Sequence, residues 1–95
     1  MRLIEQDIIT DSITQSGQTF TLDRVVSFTV NNFGNVDAYI RYSGKGILMK
    51  VDAGTSREFN GTSGFVYRGE MRVDFVGADT GMLEVVKSIT STTEI

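Results

Sequence analysis

The sequence predicts an all-β fold: an antiparallel β-sandwich or small jelly roll of about eight short strands. Three observations predict it. Apolar and polar residues alternate at period two in several separate stretches. Gly and Asn clusters punctuate those stretches, and no window from residue 18 to 87 carries a helical stripe. The chain has 95 residues, enough for one core and no second one.

The predicted strands follow in order. Thr19 to Leu22 is a weak strand, and Val26, Phe28 and Val30 then alternate with Ser27 and Thr29. Asn31-Asn32-Phe33-Gly34-Asn35 reads as a turn, because these residue types tolerate positive φ. Val36, Ala38, Ile40 and Tyr42 then alternate with Asp37, Tyr39 and Arg41. Ser43-Gly44-Lys45-Gly46 turns the chain into Ile47, Met49 and Val51, and Asp52-Ala53-Gly54 turns it again toward Ser56 to Phe59. Asn60-Gly61 is a strong hairpin signal. Phe65 to Tyr67 is a further weak strand, and Met71, Val73 and Phe75 alternate cleanly with Glu70, Arg72 and Asp74. Gly77-Ala78-Asp79-Thr80-Gly81 leads into a last strand from Met82 to Val86.

The ends follow a different pattern. Leu3, Ile4, Ile8, Ile9 and Ile13 fit an amphipathic helix, but the β-branched run Ile8-Ile9-Thr10 favours an extended arm or edge strand. The domain plan is therefore an arm or edge strand over 1–17, a sandwich core over 18–87 and a Ser/Thr-rich tail over 88–95. A core this small has little stability to spare, so burying the arm against another subunit would help and would protect an edge strand. Homo-oligomerisation is the expectation.

Composition limits the chemistry. There is no His, Cys, Pro or Trp. Missing Cys removes disulfides, thiolate nucleophiles and zinc-finger spacing. Missing His removes the commonest general base and the commonest metal ligand. Carboxylates remain, but Asp37, Asp52, Asp74, Asp79, Glu58, Glu70 and Glu84 are spread over turns and outward strand positions, and read as solvated surface acids. Asp52-Ala53-Gly54 and Asp79-Thr80-Gly81 fall short of a calcium loop in ligand count. No cofactor or metal is expected, and no catalytic residue is assigned.

Nine basic against twelve acidic residues give a formal charge of -3, and the basic residues are scattered singly. That excludes a nucleic-acid partner, which needs a basic face to displace counterions. Apolar runs reach only the length of Ile47-Leu48-Met49, so no helix spans a bilayer and no membrane partner is expected. Met1-Arg2-Leu3-Ile4 runs at once into Glu5, Gln6 and Asp7, which forms no signal-peptide core. The candidate partner contacts are Leu3, Ile4 and Ile8 on the arm, with Phe33, Tyr39 and Arg41 in the core, because interfaces favour Tyr, Phe and Arg.

The middle of the chain also carries a resemblance. Asn31-Asn32-Phe33-Gly34-Asn35-Val36-Asp37-Ala38 opens a strand. Val51-Asp52-Ala53-Gly54-Thr55-Ser56-Arg57-Glu58-Phe59 and Gly69-Glu70-Met71-Arg72-Val73-Asp74-Phe75 follow. That order, over residues 25 to 87, resembles the small β-sandwich accessory proteins of tailed-bacteriophage virions: capsid decoration, head-fibre and tail-adaptor modules. The resemblance implies a non-enzymatic virion component, assembled in the host cytoplasm, that binds a capsid or tail lattice as a symmetric oligomer. It assigns no site residue. The alternative is a carbohydrate-binding sandwich, in which Tyr39, Tyr67 or Phe33 stacks on the rings of a glycan.

Overall fold

A computed structural model of the chain describes residues 2–42, 46–60 and 66–94. The turns expected at 43–46 and 60–61, the strand start at Phe65 and the side chain of Leu3 lie wholly or partly outside these residues. The described residues form seven antiparallel strands and no helix: β1 (Arg2–Gln15), β2 (Thr19–Asn32), β3 (Ala38–Tyr42), β4 (Ile47–Val51), β5 (Ser56–Asn60), β6 (Tyr67–Phe75) and β7 (Thr80–Glu94). The strands are hydrogen-bonded in the order β1-β7-β2-β6-β3-β4, with β5 also on β2.

Strand β2 makes two layers out of one hydrogen-bonded path. Its first half pairs with β6, from Thr19↔Arg72 to Val25↔Tyr67. Its second half pairs with β7, from Val25↔Ile89 to Asn32↔Leu83, and on its other edge with β5, from Ser27↔Asn60 to Asn31↔Ser56. The result is a small sandwich. A ribbon layer runs β1-β7-β2-β5, a charged layer runs β2-β6-β3-β4, and β2 belongs to both. The switch is visible in the sequence as a slip of phase. Phe20 and Leu22 are buried, Asp23 and Arg24 are exposed, then Val25 and Phe28 are buried. Register shifts flank Val25 on both sides, and Arg24 sits at φ 56, the signature of a bulge that bends a strand.

That bend corrects the expected strand count. The segments at 19–22 and 26–30 are halves of one strand, and Tyr67 belongs to the same strand as Met71, Val73 and Phe75. An additional strand comes from the N-terminus, where β1 is extended over its whole length. Its Ile-rich stripe is read at period two, with Ile13 buried and Ile4 and Ile8 exposed.

The core lies between the layers. Leu22, Val25, Val30, Ile40, Val51, Val73, Leu83 and Val85 are fully buried. Phe28 stacks on Phe59 with ring centroids 4.7 Å apart and meets Tyr67 edge-on at 5.1 Å. One side of the sandwich is closed where the β1–β2 turn bonds to β6: the Gly17 N–H donates to the Val73 carbonyl at 2.8 Å, and the Val73 N–H to the Gln18 carbonyl at 2.9 Å. On the other side, among the described residues, β4 pairs only with β3 and β5 only with β2, so the layers part along an apolar seam. A cavity of about 290 Å³ opens there, lined by Phe28, Ile40, Met49, Phe59, Tyr67 and Met71.

Candidate functional site

Among the described residues, most exposed apolar side chains lie in two places at opposite ends of β7, with Tyr42 and Val66 apart from both. The first is a two-stranded ribbon. β1 and β7 pair from Ile13↔Leu83 out to Arg2↔Glu94, whereas β2 accompanies β7 only as far as Ile89. Beyond that point β1 and β7 have only each other among the described residues. The molecule accordingly measures 52 × 25 × 19 Å, with a radius of gyration of 14.5 Å. A compact domain of this length has a radius of gyration of about 12 Å.

Alternation divides the ribbon into two chemically distinct faces. Gln6, Ile8 and Thr10 share one face with their partners Thr90, Ser88 and Val86, and Ile4 lies on the same face. Ile4 and Ile8 are 70% and 73% exposed, and the Gln6 amide donates to the Ser88 hydroxyl. Glu5, Asp7, Ile9 and Asp11 share the opposite, acidic face, whose continuation at Ile13 turns into the core. Lys87 pins the point where the ribbon leaves the sandwich. Its buried ammonium pairs with Asp11 at 2.6 Å and donates to the Thr21 carbonyl, in the other half of the sandwich, at 3.0 Å.

The second apolar surface is the opposite end, where the β2–β3 and β6–β7 loops meet. Phe33 is 60% exposed and Met82 56% exposed, beside a shallow depression of about 530 Å³ that also involves Gly34, Asn35 and Thr80. Asn32 organises this end. Its side chain is buried, and its Nδ2 donates to the carbonyls of Val36 (2.8 Å) and Val51 (3.1 Å). Its Oδ1 accepts from the Gly34 N–H at 3.1 Å, and the Phe33 N–H donates to the Met82 carbonyl at 3.0 Å. A Cβ on Gly34 would stand 3.2 Å from the Met82 nitrogen, so the absent side chain lets the loop lie close to β7.

Tyr39 and Arg41 occupy a third location, the outer face of the charged layer. Arg41 lies 3.5 Å from Asp74, which Arg72 also approaches at 3.4 Å. Lys50 bridges Asp37 (3.4 Å) and Asp52 (3.5 Å). The Ala53 N–H, bonded to the Asp37 carboxylate at 2.8 Å, holds that carboxyl below its usual range; slight burial opposes this and Lys50 reinforces it. Asp37, and then Asp52, push the Lys50 ammonium above its usual value.

The six residues expected to form partner contacts therefore do not share one surface. Ile4 and Ile8 lie together on the ribbon, where Leu3 pairs with Thr93 through its backbone; Phe33 lies at the loop end; Tyr39 and Arg41 lie in the charge ladder. Met82 was missed by sequence reading. Its signal is an apolar residue in the outward phase of β7, beside the inward Leu83 and Val85. The three candidate sugar-stacking rings are also scattered: Phe33 is exposed at the loop end, Tyr39 is half-buried on the charged layer, and Tyr67 is half-buried in the seam.

Among the described residues, no three Asp or Glu side chains are grouped to hold a metal ion, and no helix is long and apolar enough to cross a membrane. The described residues that line the seam cavity include no carboxylate. The geometry offers surfaces for contact, at two ends of an elongated molecule. Compared with known families and with characterised proteins, the chain matches no family model and no individual sequence.

Proposed function

We propose that this protein is a non-enzymatic structural component that self-associates and docks on a larger protein assembly, of the kind represented by a phage capsid or tail. One observation carries the reading: most of the exposed apolar side chains among the described residues fall into two groups at opposite ends of β7, with Tyr42 and Val66 standing apart at the ends of β3 and β6. Met82 marks one group, and Thr92, the partner of Ile4, marks the other. At about 3.3 Å per residue these positions are roughly 33 Å apart. Two apolar surfaces that far apart can be covered at the same time by two different partners, which is what a connector in an assembly requires. Neither surface brings acid and base groups together over a cleft.

Light scattering and sedimentation of the purified protein test the reading, with the concentration dependence of mass as the readout. Reversible self-association is expected, and Phe33→Ser with Met82→Ser should leave it unchanged. A strict monomer at all concentrations would remove the self-association clause. The genes beside this one test the assembly clause: capsid, portal or tail genes are expected, and a polysaccharide-processing cluster would count against it.

A further inference from the structure

We propose that the seam cavity is a binding site for a small, uncharged, apolar molecule of about two fused rings. The site is independent of the self-association proposed above: it lies within one chain, and either reading can fail without the other.

Packing marks the cavity as a site. Protein interiors fill to the density of organic crystals, with few voids larger than a water molecule. A space of about 290 Å³ between the layers of a 95-residue sandwich departs from that rule. Five strands wall it, from both layers: β2 with Phe28, β5 with Phe59, β3 with Ile40, β4 with Met49, and β6 with Tyr67 and Met71. Burial gives it a floor and a rim. Phe28, Ile40 and Met71 are buried, whereas Met49, Phe59 and Tyr67 are half-buried. The aromatic wall is fixed by strand pairing. Phe59 stands directly opposite Phe28 in the β2–β5 register, with ring planes 11° apart. Tyr67 pairs with Val25 at the bend of β2 and meets Phe28 at 89°. Rings held by backbone pairing need no ordering when a ligand arrives, which lowers the cost of binding.

The lining selects the ligand class. Among the described lining residues, the Tyr67 hydroxyl is the single side-chain oxygen or nitrogen. A charged or polyhydroxylated molecule would give up its water there with little to replace it. A flat apolar molecule meets three aromatic rings, which favour offset or edge-on neighbours. It also meets the thioethers of Met49 and Met71, flexible groups that adapt their shape to a ring. Volume sets the size. An apolar cavity of about 150 Å³ stays dry and binds benzene, and this one is roughly twice as large, so about two fused rings fill it. The depression beside Phe33 and Met82 is shallow and includes Asn35 and Thr80, so it offers such a ring less enclosure.

Indole, a neutral two-ring molecule, is the probe, titrated into the full chain. The chain has no Trp, so indole fluorescence reports the ligand alone. Methionine methyl resonances locate it, because Met49 and Met71 line the cavity and Met82 lines the other depression. Saturable shifts at Met49 and Met71 are expected, with Met82 unmoved and a Kd on the order of 0.01–1 mM. Met49→Trp, which fills the cavity from its rim, should weaken binding at least about tenfold, read at the Met71 methyl. Phe33→Ser, outside the cavity, should leave binding unchanged, and glucose should shift none of these methyls. Circular dichroism monitors folding; if Met49→Trp does not fold, the contrast between Met71 and Met82 in the wild type decides. No saturable shift at Met49 and Met71 up to about 10 mM indole, ten times the weakest expected Kd, would overturn the proposal by showing the space closed in solution. Equal shifts at Met82, matching shifts with glucose, or undiminished binding to folded Met49→Trp would each overturn it by placing the ligand elsewhere.

Discussion

Replacing Asn32 should unlock the loop end of the sandwich, and the structure sets the size of the effect. Asn32→Ala removes three hydrogen bonds at once, to the carbonyls of Val36 and Val51 and from the Gly34 N–H. Each bond contributes about 0.5–1.5 kcal/mol net. The bond to Val51 is buried, so that carbonyl is left without a partner, whereas the other two are only partly buried and can turn to water. The expected loss is about 2–4 kcal/mol, or roughly 10–25 °C in Tm for a domain of this size. Equilibrium urea unfolding measures it directly. Asn32→Asp is the sharper variant, since it keeps the acceptor for Gly34 and swaps the two donors for an oxygen facing two carbonyls. That carboxyl is harder to ionise folded than unfolded, so its folded pKa is raised. Stability should then fall as pH rises through the window between the unfolded and folded values, and recover below it. A loss under about 1 kcal/mol for Asn32→Ala, or no pH dependence for Asn32→Asp beyond that of the wild type, would refute the role assigned to this side chain.

Three further predictions concern close contacts and charge. A Cβ on Gly81 would stand 2.4 Å from the buried Phe75 ring, and one on Gly69 would stand 2.5 Å from the ring of the partly exposed Tyr42. Gly81→Ala should cost about 1–3 kcal/mol and be partly relieved when combined with Phe75→Leu in a double-mutant cycle. Gly69→Ala should stay destabilising even with Tyr42→Ser, because its φ of +135 strains any residue with a side chain; full recovery there would show that the clash alone mattered. The Asp37 carboxyl should titrate below the ordinary 3.8 in an NMR titration. Lys50→Met should return it only part of the way, since the Ala53 N–H is the larger cause. The stability Asp37 contributes is present above its unfolded pKa and lost as pH falls through the lower folded value; a normal titration in the wild type would contradict this.

Much of the sandwich was legible because half-buried strands write their own orientation. Glu70 to Phe75 alternates without error, and Met71, Val73 and Phe75 are all buried. Where reading went astray, a tertiary contact had replaced a local rule. Leu22 to Val25 breaks the alternation, which looks like the end of a strand; only the pairing of β2 with β6 before the break and β7 after it shows a bent, continuous one. Asn31 and Asn32 look like turn residues. Asn32 closes a strand instead, because carbonyls from a loop and from β4 converge on its amide. Phe33, Tyr39 and Arg41 are near in sequence, yet the β2–β3 loop separates an exposed ring at one end from a charge ladder on a flank.

The four missing residue types and the period-two pattern were sufficient, by themselves, to determine an all-β chain without thiol or imidazole chemistry. These are local properties, set by which atoms are present and which way successive side chains point. Only the tertiary structure decided where the apolar arm goes. Strand β2 stops accompanying β7 at Ile89 while β1 continues to Glu94, leaving a ribbon that displays Ile4 and Ile8. A strand's side chains are buried only where another layer covers them. Coverage depends on residues more than sixty positions away, and alternation within β1 contains no record of it.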